Sequence, residues 1–128
     1  FFFFYNPQVT IIATGALVHK ALLAAKSLEA EGVGSIVVNL STIKPLDSET
    51  ILYAVKKAPK VVTIEEHQIM GGMGSAVAEL LSQTTPAPQE FVGVRDQFGQ
   101  SGTPDELIEH YSMGEKGIVE AVRKVISR

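Results

Sequence analysis

A run of β-branched residues that passes through a glycine-rich turn into helical spacing permits few folds. Val61 to Leu81, VVTIEEHQIMGGMGSAVAELL, is such a run. Val61, Val62 and Ile64 follow the break at Pro59-Lys60 and read as a strand buried on both faces, as strands of a parallel sheet are. Glu65 and Glu66 end that strand. Gly71, Gly72 and Gly74 let the backbone turn sharply and approach a neighbour closely, and from Ser75 onward Ala76, Val77, Leu80 and Leu81 repeat at helical spacing. Strand, turn and helix in this order belong to an α/β architecture, in which ligands and partners gather outside the carboxyl ends of the strands.

The rest of the chain repeats the alternation. Gln8 to Ala13, QVTIIA, reads as a strand, Thr14-Gly15 as a turn, and Ala16 to Glu31 as a helix whose inward stripe is Leu17, Ala21, Leu22, Ala24, Ala25 and Leu28, with Gly32 as its C-cap. Ser35 to Leu40 is a second strand. Pro45 forces a loop, Asp47 or Ser48 caps a helix that buries Ile51, Leu52 and Val55, and Pro59 stops it. After the central stretch, the proline-broken QTTPAPQ leads to a fourth strand, Phe91 to Arg95. Thr103-Pro104 then starts a short helix over Asp105 to about Tyr111, and Glu115 to Ser127 forms the last helix. The order β, α, β, α, β, α, β, α, α predicts right-handed crossovers and a three-layer α/β/α fold with a mostly parallel, doubly wound sheet. Strand order does not follow from spacing, and a fifth strand has no signal of its own.

Phe1 to Pro7, FFFFYNP, fits none of this, having five consecutive aromatics without alternation and then a turn-forming Asn-Pro. It is read as a tag-derived or poorly identified leader, with residues 8–128 as a single domain; if native, its exposed aromatic run would invite pairing with another chain at a sheet edge. The 128 residues carry 45% hydrophobic and 20% charged side chains, an ordinary globular balance. A net charge of -3 with dispersed basic residues provides no footprint for nucleic acid or an anionic membrane. Without cysteine there is no disulfide, thiolate nucleophile or cysteine zinc site, and a reducing cytoplasm suits the chain. No apolar run approaches the ~20 residues that span a bilayer.

Glu65, Glu66 and His67 are the tightest group of titratable side chains. On an extended strand Glu65 and Glu66 point to opposite faces, so only Glu65 and His67 share a side, and two ligands do not make a metal site. A structural or interfacial role follows. Arg95 and Asp96, ending the fourth strand, are placed to pair with this cluster. Ile69, Met70 and Met73 surround a turn at a strand end, where apolar side chains are costly in water unless a partner covers them. Glu65, His67 and Met73 are therefore expected on or beside an exposed, largely uncharged surface. The candidate interface comprises Glu65, Glu66, His67, Met70, Gly71, Gly72, Met73, Gly74, Ser75, Arg95 and Asp96. The alternative at the same place is an anion site, with a phosphate or nucleotide on the N–H groups of Met73, Gly74 and Ser75. The spacing GGMGS is neither GxGxxG nor a P-loop. Gly72 and Gly74 are expected to tolerate substitution poorly, through forbidden backbone angles or close packing. Ser101 lacks the setting of a nucleophile elbow. His19 near one helix start and His110 near one helix end need no catalytic explanation.

Four segments in order, VTIIATGALVHKALLAAKSLEAEGV, VVNLSTIKPLD, VVTIEEHQIMGGMGSAVAELL and RDQFGQSGTPDELIEHYSM, resemble the C-terminal domain of transketolases. The resemblance runs from Val9 to the end and is strongest to the short, split transketolases. Deoxyxylulose-phosphate synthase and the β subunits of pyruvate-type dehydrogenases have a similar domain. IKPLD and EEHxxxGGMGS are shared across that wider group, whereas RDQFGQSGTPDEL favours transketolase. The resemblance implies an enzyme that moves two-carbon ketol units between sugar phosphates with thiamine diphosphate and a divalent metal. It also implies that those groups are held elsewhere, by a GDG-type motif and an activating glutamate in other domains, so that no catalytic, cofactor or metal residue is assigned in this chain. What carries over is a scaffold that packs on the other domains or on an N-terminal subunit and helps to assemble a homo-oligomer. The abrupt, methionine-free beginning is read as that of a fragment. A stand-alone regulatory module that binds an anionic metabolite at Gly71 to Ser75 is the competing expectation.

Overall fold

The computed structural model describes residues 2–3, 6–15, 17–40, 45–68, 72–94 and 114–128. Its elements are β1 (Phe2–Phe3), β2 (Pro7–Ala13), α1 (Leu17–Ala30), β3 (Gly34–Asn39), α2 (Ser48–Lys57), β4 (Lys60–Gln68), α3 (Met73–Gln83), β5 (Gln89–Val94) and α4 (Glu115–Ile126). The short helix expected over Asp105 to about Tyr111 lies outside the described residues.

The five strands form one sheet in the order β1-β3-β2-β4-β5. β3, β2, β4 and β5 run parallel, while β1 lies antiparallel on β3, with Phe2 opposite Val37 and Phe3 opposite Ile36. Thus the strand without a sequence signal comes from the aromatic leader. From β2 the chain moves outward to β3, then returns past β2 to β4 and on to β5. The reversal lies between β2 and β4, where Ala13 sits opposite Ile64. Crevices at the carboxyl ends of strands flanking such a reversal are where doubly wound proteins bind ligands.

Strand alternation divides the core. Val9, Ile11, Ala13, Val62 and Ile64 face α1 and α4, packing on Leu17, Ala21, Leu28, Ile118 and Val122. Ile12, Ile36, Val38 and Val61 face α2 and α3, packing on Ile51, Val55, Met73, Val77 and Leu81. Both faces are covered, as the three-layer expectation requires. Thr10 also turns toward α2, and its buried hydroxyl donates to the Ala58 carbonyl at 2.8 Å, satisfying a helix-end acceptor.

Helix ends follow local chemistry. Asp47 caps α2, accepting from the Thr50 N–H at 3.2 Å and the Thr50 hydroxyl at 2.8 Å. α1 ends in a Schellman motif: Gly32, at φ +85°, donates to the Glu29 carbonyl at 3.0 Å, and Val33 donates to the Leu28 carbonyl at 2.9 Å. α4 is tied to α1 by Ser27, which donates to Glu115 at 2.6 Å, and by Arg123, which donates to both oxygens of Glu31.

Candidate functional site

α3 begins without means of capping itself. Its N-cap is Gly72, which has no side chain to accept a hydrogen bond, and its first turn contains no acid. The unpaired N–H groups of a helix start and the positive end of its dipole call for an anionic acceptor. Glu65 supplies it from within β4, which runs on to Gln68 and does not end at Glu65 and Glu66 as the sequence reading expected. Its Oε1 accepts from the Met73 N–H at 2.9 Å and its Oε2 from the Gly74 N–H at 2.6 Å. Glu65 is 2% exposed, and none of the ion pairs between described residues involves it. Among the described residues, helix backbone and not a basic side chain balances this buried carboxylate.

Glu65 reaches α3 because Val61, Thr63 and Glu65 alternate onto the face that α3 covers. The pairing of β4 with β5 is regular to Ile64 opposite Val92, then shifts so that Gln68 lies opposite Val94. The extra β4 residues fall on Glu65 to His67.

Gly74 is enclosed on every side. Its N–H goes to Glu65, and its carbonyl accepts from the Gln89 amide at 3.0 Å. The same Gln89 nitrogen donates to the Thr63 hydroxyl at 3.1 Å. A Cβ on Gly74 would meet Phe91 Cδ2 at 2.7 Å, Thr63 Oγ1 at 2.9 Å and Glu65 Oε2 at 3.1 Å. The glycine is thus required by close approach, and Gly74 is not among the residues with positive φ. Gly72, at φ -98° and ψ -161°, has extended backbone open to any residue, so its expected intolerance has no backbone cause.

The structure places other predicted residues differently from the sequence reading. Met73 is fully buried against Val77 and Leu81, and Glu65 lies beneath the α3 start, so neither is itself part of an exposed surface. Ser75 is half-buried. Glu66 and His67 belong to β4, while Met70, Gly71, Arg95 and Asp96 lie outside the described residues, as do Ser101 and His110. Thr63, Gln89 and Phe91 complete the site and were not anticipated. The available signal was a glutamine opening an apolar strand, and a threonine two residues before the glutamate in β4.

Chemically, the arrangement is closed. Two of the three N–H groups that an external anion would use already donate to Glu65. Among the described residues, no three His, Asp or Glu side chains converge on a point where a metal could sit. A groove of about 420 Å³ between α1 and α4 is lined by Ser27, Glu31, Glu115 and Arg123, which bond one another across it. No helix among the described residues is long and apolar enough to cross a membrane.

Against known proteins, residues 5–118 match the family described as transketolase, C-terminal domain. The 6-deoxy-6-sulfo-D-fructose transketolase subunit of Clostridium sp. (strain MSTE9) is 46% identical over 121 residues, covering 94% of this chain and 38% of that protein. A putative transketolase C-terminal section from Methanocaldococcus jannaschii is 37% identical over 124 residues, covering 96% of this chain and 38% of that protein. A 1-deoxy-D-xylulose-5-phosphate synthase of Syntrophus aciditrophicus is 38% identical, with 94% of this chain and 19% of that protein covered. Among solved structures, a split gene transketolase described as an inactive β4 tetramer superposes with a TM-score of 0.90 at 46% identity, covering 95% of this chain and 40% of that one. The chain therefore spans well under half the length of the relatives it matches.

Proposed function

The chain belongs to the transketolase C-terminal domain family, and from that premise we propose that it is the assembly domain of a transketolase that transfers two-carbon ketol units between sugar phosphates. Alone it performs no such transfer. The observation that carries this reading is the use made of the β4 acid Glu65. Glu65 is buried and bonded to the start of α3, so the titratable group best placed for chemistry is committed to holding the domain together. The share of its relatives that the chain spans also supports it, since the larger part of a transketolase subunit lies outside this domain.

The family depends on thiamine diphosphate. The described residues of this chain do not fit that cofactor. A diphosphate needs unpaired N–H donors or basic side chains, and its metal needs converging oxygen ligands. Here Glu65 takes the α3 donors, and no set of described acids converges. In the proposed reading cofactor and magnesium are held by the other domains, and no step is assigned to this chain through them. Its partners are those domains or an N-terminal subunit, together with further copies of itself. The relative titled an inactive β4 tetramer is in keeping with self-assembly that does not produce activity. The compartment that fits a cysteine-free chain is the cytoplasm.

Ketol transfer measured with thiamine diphosphate, magnesium and sugar phosphates tests the reading. The purified chain is expected to be silent, and to support turnover when joined to the remainder of a split transketolase. Turnover by the chain alone that persists through repurification would overturn it. Isothermal titration with phosphate and adenine nucleotides is expected to show no heat. Micromolar binding that Gly74→Asp abolishes would instead establish the regulatory-module reading.

A further inference from the structure

The two edges of the sheet are finished differently. β5 is entered through Pro86 and Pro88 and carries Glu90, which Lys124 and Arg128 approach at 3.6 and 2.8 Å. Proline and charge are means by which natural sheets discourage pairing at an edge. β3 has neither. Its sequence is GSIVVN, and five of its six residues are buried. Because helices cover both of its faces, a charge placed on it would itself be buried, which is prohibitively costly without a partner. Among the described residues, what lies on its outer edge is β1, paired at Ile36 and Val37. From there the chain passes Asn6, at φ +49°, and enters β2 at Pro7.

We propose that β1 is an edge guard: Phe2 and Phe3 occupy the outer backbone edge of β3 and keep it from pairing with the β3 of a second copy of this chain. Two copies related by a two-fold axis present the same strand antiparallel to itself. β1 is itself antiparallel, so the edge accepts a partner of that direction. Main-chain hydrogen bonds would provide the attachment, as in other cases of strand addition, and the two sheets would join into one. This inference rests on the sheet edges and not on the transketolase reading, so either can fail without the other.

Sedimentation velocity at matched concentrations tests it on the whole chain, on the Phe2→Pro/Phe3→Pro variant and on a variant lacking residues 1–3. Both variants are expected to show twice the apparent mass of the unaltered chain. Neighbouring residues on a strand direct their N–H groups to opposite edges, so one of the adjacent Ile36 and Val37 amides faces β1 and the other faces β2. Exchange at the outward amide should be slow in the unaltered chain and in the associated variants, and at least tenfold faster in variants diluted until they dissociate, while its neighbour stays slow throughout. Folded variants of unchanged mass would overturn the proposal. So would growth beyond a doubled mass, which a two-fold edge contact does not allow. Loss of the far-ultraviolet dichroism in both variants would overturn it as well, because β3 would then need β1 in order to fold and not merely to be covered.

Discussion

Replacing Gly74 by alanine is expected to destabilise the domain even though alanine is the better helix former. Helix propensity alone would favour the change by about 0.5–1 kcal/mol. Space opposes it. The new Cβ would lie 2.7 Å from Phe91 Cδ2 and 2.9 Å from Thr63 Oγ1, both closer than carbon atoms in real proteins approach their neighbours. The half-buried Phe91 ring can swing aside, but Thr63 is buried and held by Gln89. Glu65 Oε2, 3.1 Å from the same Cβ, is held by the Gly74 N–H itself. Relief by moving α3 outward would lengthen that charged hydrogen bond. Overpacking of this kind costs about 1–3 kcal/mol, and losing a hydrogen bond to a charged group about 1.5–3 kcal/mol. Net of propensity, Gly74→Ala should cost roughly 1–3 kcal/mol, and the bulkier Gly74→Val roughly 2–4 kcal/mol. In urea, with a slope of about 1–3 kcal/mol per molar, the alanine midpoint should fall by about 1 M. Adding Phe91→Leu to Gly74→Ala should recover part of the loss, because it removes the shortest contact. A Gly74→Ala midpoint equal to or above that of the unaltered chain would refute the close-approach reasoning.

Glu65→Ala removes both acceptors from the α3 start and leaves two buried N–H groups unpaired; a loss of about 2–4 kcal/mol is expected in urea unfolding, with Glu65→Gln losing less because its amide oxygen still accepts one bond. Gly32→Ala should cost about 1 kcal/mol although nothing lies within 4 Å of its added Cβ, since the penalty comes from φ +85° alone; Gly32→Asn, which tolerates that region better, should recover part of it in the same titration. Thr10→Val keeps the side-chain shape but leaves the Ala58 carbonyl without its donor, and should lower the midpoint by about 1–3 kcal/mol equivalent. Arg123→Ala breaks an ion pair whose side chains are 59% and 46% exposed, and thermal melts should show at most a small change.

Much of the architecture was legible because its causes are local. The stripe Leu17, Ala21, Ala24, Ala25, Leu28 is buried as its spacing predicts, and the Gly32 and Asp47 caps act as their residue types require. The helix beginning at the glycines is α3, one residue after Gly72. The candidate site was legible in part. Its position, its glycine and its glutamate were visible, but an acid at a strand end reads equally as a group for chemistry and as a group for capping. Only the direction in which α3 packs distinguishes the two. Met73 shows the same limit: an apolar residue beside a turn looks like a surface anchor until the helix it begins is laid on the sheet, where it is fully buried.

By itself the sequence determined four of the five described strands and the four described helices, where α1 and α2 stop and start, and, through motifs spread along most of its length, the family. Each depends on residues within a turn or two of one another, or on a pattern that survives without coordinates. Tertiary structure alone decided that β2 and β4 are neighbours across the chain reversal, that β1 lies on the β3 edge, and that Glu65 spends both its oxygens on the α3 N–H groups. Sheet order is set by which faces remain to be buried once the helices have packed. A carboxylate takes whichever donors that packing leaves within reach.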